Sequence, residues 1–226
     1  MHLRNMNLTV SSMVVCALLL HAAPARAQKT ADVQAWDGGW AAYLALEAIP
    51  LADRGYVQAS QDLPVVIDAP LRVVFDVYSN VFNALGLHPF LVGITPIRCT
   101  SGTFDFIARE DIPLPDGTVY QGETIARQRL KRARWYYDAD TYDFPGIVTH
   151  QHITFSRLHD GSTLVVEHLT FEAPPTYLAT AVQGGVYAHS LVQQGLKARI
   201  EAGQLEPVKF PRYLGGLCRG GEGDGD

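Results

Sequence analysis

Residues 65–80 read Val65-Val66-Ile67-Asp68-Ala69-Pro70-Leu71-Arg72-Val73-Val74-Phe75-Asp76-Val77-Tyr78-Ser79-Asn80, an apolar run that breaks at Asp68 and resumes with another period. The β-branched content of residues 65–67, following Leu63-Pro64, is that of a strand, and residues 56–60 extend the β-character upstream. Pro70 stands where a helix can begin, because the N–H it lacks is one the first turn would leave unpaired. Leu71, Val74, Phe75, Val77 and Tyr78 then recur at helical spacing. After Ser79-Asn80, residues 81–85 continue as a second short helix that Gly86 can cap. The block predicts a strand followed by two short helices.

Downstream, strands are expected over 92–100, 103–112, 118–129, 132–137, 147–158 and 162–171, separated by Ser-Gly, Pro-Asp-Gly, Tyr-Asp-Phe-Pro-Gly and Asp-Gly punctuation. Six strands with no helix between them imply an antiparallel meander. Asp160-Gly161 is the strongest hairpin signal. Pro174-Pro175 end the last strand, and residues 177–202 form a long helix softened at Gly184-Gly185. Beyond it, 204–226 read as an extended, Gly-rich tail.

Upstream, residues 28–54 show helical recurrence of Val33, Trp36, Trp40, Tyr43 and Leu44, ended by Pro50. This extension is expected to pack outside the domain or to occlude an opening. Residues 1–27 have the three parts of a secretory signal: Arg4, the apolar run 13–20, and Ala25-Arg26-Ala27 before the cleavage point. An apolar run of eight is far below the roughly 20 residues of a membrane span. The expected organisation is thus signal peptide 1–27, helical extension 28–54, main domain 55–203 and tail 204–226, with export to the periplasm or medium after cleavage near Ala27.

The 226 residues are 47% hydrophobic and 18% charged, the balance of one ordinary globular core. Cleavage would remove two arginines and no acid, leaving 16 bases against the 23 acids, a net charge of −7. That acidity argues against nucleic-acid binding. The basic stretch Arg127, Arg129, Lys131, Arg132, Arg134 reads instead as two strands with arginines on a solvent face. Cys99 and Cys218 would be free to pair in an oxidising compartment.

The order of strand, two small helices, six antiparallel strands and a long C-terminal helix resembles the SRPBCC or START-like helix-grip superfamily, which includes lipid-transfer domains, birch-pollen-allergen proteins and polyketide cyclase/dehydratases. Residues 65–80 carry the resemblance, with 163–172 and 177–201 similar to the superfamily's last strand and helix; about 56–203 are covered. The resemblance implies an α+β fold in which a curved antiparallel sheet wraps a long C-terminal helix. It also implies a cavity between them for an apolar molecule such as a lipid, sterol, isoprenoid or polyketide. Non-covalent binding or transport is the first expectation, with transient membrane contact for ligand exchange and with no cofactor. The alternatives are a metal-free cyclase/dehydratase and an interaction protein with a filled interior. No sequence feature sets the oligomeric state.

Candidate catalytic residues for the enzymatic alternative are His189 and His168 with Glu167 and Glu110. Ligand contacts are expected from His88 and Phe90 at the mouth, Tyr136 and His152 on the sheet, and Val186 and His189 on the long helix. His150 and His152 share a strand face, and the hairpin register decides whether His168 joins them. With Asp160-Gly161 as a two-residue turn His168 opposes Ile153; one residue more sets it opposite His152, where three imidazoles could gather a metal. The turn chemistry favours the first register and no metal site. No P-loop, GxGxxG, GxSxG, HExxH or CxxC motif is present.

Overall fold

The structure is a computed structural model that describes residues 10–204 except 101, 115, 144 and 145, with 10–27 as backbone only. Among the described residues three α-helices, α1 (Val10–Glu47), α2 (Leu71–Tyr78) and α3 (Pro175–Glu201), accompany seven strands. These are β1 (Val57–Ile67), β2 (Leu91–Thr100), β3 (Thr103–Pro113), β4 (Val119–Lys131), β5 (Tyr136–Asp143), β6 (Ile147–Arg157) and β7 (Thr163–Ala173). They form one antiparallel sheet in the order β1-β7-β6-β5-β4-β3-β2. The first strand thus closes against the last, and the sheet curves around α3. This is the α+β helix-grip fold that residues 65–80 announce.

Pro70 is the N-cap of α2, and the second short helix is a 3-10 turn over Val81–Ala84 whose N-cap Asn80 accepts a hydrogen bond from the Phe82 N–H. Val74, Phe75 and Tyr78 are the buried face of α2. They join Val65, Ile67, Phe155, Val165, Leu196 and Ile200 in the main core between sheet and helices.

Three expectations change. Residues 132–137 are not a strand: Arg132–Arg134 form a 3-10 turn and Trp135 reverses the chain in the left-handed region at φ 53°, so β5 starts at Tyr136. Trp135 meets the Phe75 ring edge-on at 5.4 Å, an aromatic contact that offsets the cost of the backbone conformation.

The β6–β7 hairpin takes the longer register. Leu158 N–H donates to Ser162 C=O at 2.9 Å, leaving His159, Asp160 and Gly161 in a three-residue loop with Gly161 at φ +91°. The Asp160 carboxylate accepts from the Ser162 N–H at 3.0 Å and from its hydroxyl at 2.6 Å, a side-chain mimic of a turn bond that draws Ser162 into the closing pair. His168 therefore pairs with His152.

The arginine face is solvated only in part: Lys131, Arg132 and Arg134 are exposed, but Arg127 is covered. On the convex side α1 packs Trp36, Trp40 and Tyr43 onto Ile107, Ile125 and Val148. The Arg127 guanidinium lies 4.9 Å from the Trp36 ring centre and 4.4 Å from that of Trp40, while bonding Asp105 bidentately at 2.7 and 2.9 Å. The extension is a packed element whose helix runs unbroken from Val10 to Glu47. Among the described residues no helix is long and apolar enough to cross a membrane. Cys99 is disulfide-bonded; the pairing with Cys218 that an oxidising compartment would permit, and the 204–226 tail beyond Gln204, lie outside the described residues.

Candidate ligand cavity

The concave face of the sheet and α3 enclose a cavity of about 940 Å³. Its size follows from side-chain choice. At the middle of the sheet the inward positions are Ala108 of β3, Ala126 of β4 and Ala139 of β5, too small to reach the helix. Larger apolar groups, Phe106, Ile112, Phe171, Val182, Val186 and Val192, form the surrounding walls. On α3, Gly185 lets the Phe171 ring approach, since a Cβ there would sit 2.4 Å from it, whereas one at Gly184 would meet nothing within 4 Å. Gly185 alone of the pair is a close-packing device, in a continuous helix.

One polar group set is buried in this interior. Glu167 of β7 is 2% exposed, and its two oxygens serve two partners. Tyr78 of α2 donates its hydroxyl to Oε1, and His189 of α3 places Nδ1 2.7 Å from Oε2. An ionised carboxylate only accepts, so Nδ1 carries a proton, and in the neutral imidazole the lone pair is on Nε2. Nε2 has no partner among the described residues. Burial, and then the Glu167 charge, push the Tyr78 and Tyr137 hydroxyls well above the usual tyrosine range, which keeps both protonated.

A second set lies opposite. His88 Nδ1 accepts from the backbone N–H groups of Phe90 (3.3 Å) and Leu91 (3.1 Å), which fixes the proton on Nε2. Burial, helped by the His189 charge, lowers the His88 pKa to about 4, so the ring is neutral at neutral pH. Its Nε2 is 3.7 Å from Glu110 Oε1. Burial raises the Glu110 pKa, opposed by the Thr124 hydroxyl donating at 3.2 Å and then by His189. A lone-pair base, a fixed N–H donor and a carboxyl biased towards its protonated form thus face one interior. Such a set can orient the polar end of a ligand, and it can also move protons.

His189, Glu167, Glu110, His88, Phe90 and Val186 all line the cavity. Tyr136, His152 and His168 do not. The alternation of each strand puts Tyr137, Gln151 and Glu167 inside, and hence their neighbours on the convex face. There His152 Nδ1 meets Asp138 at 2.7 Å and its ring lies tilted 5.1 Å from that of Tyr136, while His168 Nδ1 meets Asp62 at 2.6 Å. The register does bring His152 and His168 opposite each other, but His150 bonds Asp140 at 2.8 Å, so each imidazole has its own carboxylate and the three do not form a metal cluster. Tyr78 and Tyr137 are the site residues that sequence reasoning missed. The signal for Tyr78 was its place on the apolar stripe of α2, where a buried hydroxyl requires a partner.

No family model matches the chain, and no curated protein matches it. Solved structures do. The Zhui aromatase/cyclase from Streptomyces sp. R1128 superposes with a TM-score of 0.54 at 14% identity, over 65% of this chain and 98% of that one. The di-domain aromatase/cyclase StfQ of the steffimycin biosynthetic pathway gives 0.49 at 21% identity over 64% of this chain, and this chain spans only 45% of its length. A protein from Thermus thermophilus gives 0.49 at 14% identity, over 66% and 98% of the two chains. At these identities the likeness is one of fold.

Proposed function

We propose that this helix-grip chain is an exported protein that binds a largely apolar small molecule non-covalently in its cavity, with the molecule's polar end against His189, His88 and Glu110. The carrying observation is the 940 Å³ interior walled mainly by apolar side chains, the form that small-molecule sites take. A lipid, sterol, isoprenoid or polyketide meets these requirements. Exposed Tyr177 and Tyr187, which also line the cavity, support ligand exchange at a membrane surface. The Arg4, apolar-run and Ala25-Arg26-Ala27 signature supports export, and an N-terminus at Gln28 in the exported protein would bear it out. Solvent extraction of purified protein with native mass spectrometry tests the ligand. One equivalent of an apolar molecule is expected; an empty cavity that also refuses fatty-acid, sterol and isoprenoid probes overturns the proposal.

A second reading, metal-free cyclase/dehydratase chemistry, rests on the unpartnered Nε2 of His189 held by Glu167. In a β-hydroxy carbonyl compound, Nε2 would take the α-proton while His88 Nε2–H donates to the carbonyl oxygen. Glu110 would give its proton to the departing hydroxyl, so that a C–H and a C–O bond break, a C=C bond forms and water leaves. Proton return from His189 to Glu110 restores both groups. His189→Ala separates the readings: carriage predicts binding weakened only several-fold, whereas catalysis predicts turnover lost by about 100-fold or more.

A further inference from the structure

Outside the cavity, the C-terminal end of α1 meets the convex face at a cluster that ligand binding does not use. Glu47 of α1, His150 of β6 and Glu172 of β7 bring one ligand atom each to within 4.8 Å of one another. His150 Nε2 is 3.7 Å from Glu47 Oε2 and 3.8 Å from Glu172 Oε1. Donors held about 2.1 Å from one tetrahedral ion lie roughly 3.4 Å apart, so this spacing is nearly that of a coordination sphere.

Each donor is held from behind through its other atom. Asp140 takes His150 Nδ1 at 2.8 Å, which leaves the lone pair on Nε2. Arg54 reaches Glu47 Oε1 at 2.5 Å and Glu172 Oε2 at 3.0 Å. The oxygens facing His150 are therefore not the ones that the guanidinium holds. Asp140 is matched by Arg129, but Glu47 and Glu172 share Arg54, which leaves one negative charge in excess when the His150 ring is neutral. The Glu172 side chain is only 9% exposed, and its Oε2, which faces Arg54 at 3.0 Å, has no hydrogen-bond partner among the described residues, so the guanidinium supplies charge there without a well-aligned hydrogen bond. A cation at the Oε1 side would complete the charge pairing of this buried carboxylate. His150 and Glu47 are 30% and 26% exposed, so an ion can reach the site.

We propose that Glu47, His150 and Glu172 bind one divalent transition-metal ion of the zinc type, tying the N-terminal helix to the sheet. The imidazole nitrogen among the donors selects zinc-like ions over calcium or magnesium. Zinc titration of the metal-stripped full chain at neutral pH, read by competition with a chromophoric chelator, should show one stoichiometric site that magnesium does not fill. His150→Ala and Glu172→Gln should each remove that step. Asp140→Asn, which acts through His150, should weaken it by about 10–100-fold, and the His152→Ala/His168→Ala variant should retain it. Since α1 or β7 variants could unfold, imidazole ¹⁵N spectra of the unmodified protein give a second readout, in which zinc should shift His150 Nε2 and leave His152 and His168 unchanged. Absence of a saturable zinc site overturns the proposal. So does zinc that survives in His150→Ala and disappears in His152→Ala/His168→Ala, or a shift confined to the latter two rings.

Discussion

His88 shows how one side chain acquires a fixed role from its neighbours. Two backbone N–H groups occupy Nδ1, and burial lowers the pKa from 6.5 to about 4, so the ring presents an uncharged Nε2–H to the cavity. The folded state binds this proton less readily than the unfolded chain does. The contribution of His88 to stability is therefore complete above pH 6.5 and is lost as the pH falls towards 4, by on the order of 3 kcal/mol. Urea titrations across this range should show a steeper loss in the wild type than in His88→Asn, whose side-chain oxygen can still accept the backbone bonds. Equal slopes would contradict the assignment. Tyr78 has the complementary task of satisfying a buried carboxylate. Tyr78→Phe removes that donor from Glu167 and should cost about 1–3 kcal/mol of stability by denaturant unfolding.

Among the elements, α3 and α1 use opposite devices to approach the sheet. On α3 the approach depends on an absent side chain, and the two adjacent glycines separate propensity from packing. Gly184→Ala has open space and should stabilise by about 0.5–1 kcal/mol through helix propensity. Gly185→Ala puts a Cβ 2.4 Å from the Phe171 ring. It should lose that gain, destabilise by about 1–3 kcal/mol, and drive the ring into the cavity. Thermal unfolding of the two variants reads the contrast. On α1 the approach is made by large rings stacked against Arg127. Trp40→Ala should cost about 3–5 kcal/mol in unfolding experiments, the loss expected of a buried aromatic.

Legibility varied with what each element's sequence determines. The strand–Pro–helix block 65–80 and the α3 periodicity are local, and the fold followed from them. The residues 132–135 carry strand-like alternation, but the 3-10 turn depends on Trp135 packing on Phe75, a contact between distant segments. The Asp160-Gly161 hairpin differs by one residue from the expected register because the Asp160 side chain competes with the backbone for the turn bond. That single residue places His168 opposite His152. Strand parity then decides which side chains face in: Tyr137 lines the cavity where Tyr136 was expected, and Gln151 where His152 was. Helix periodicity was the safer guide, since it put His189 and Val186 on the inward face without needing any register.

At the scale of the whole molecule, the apolar content divides between a core, a helix sealed to the convex face and the walls of an interior space. Composition reports only the sum. The division appears in the small residues Ala108, Ala126 and Ala139 at the centre of the sheet, whose inward direction depends on pairing partners far along the chain. If that space is the working part of the molecule, filling it should abolish binding without disturbing the fold. The most direct test is a titration of the wild type and of Ala108→Trp with the molecule extracted from the native protein, alongside circular dichroism. The account predicts saturable 1:1 binding to the wild type and a loss of about 100-fold or more in a folded Ala108→Trp, a difference of nearly 3 kcal/mol. Equal binding by the two proteins would contradict it.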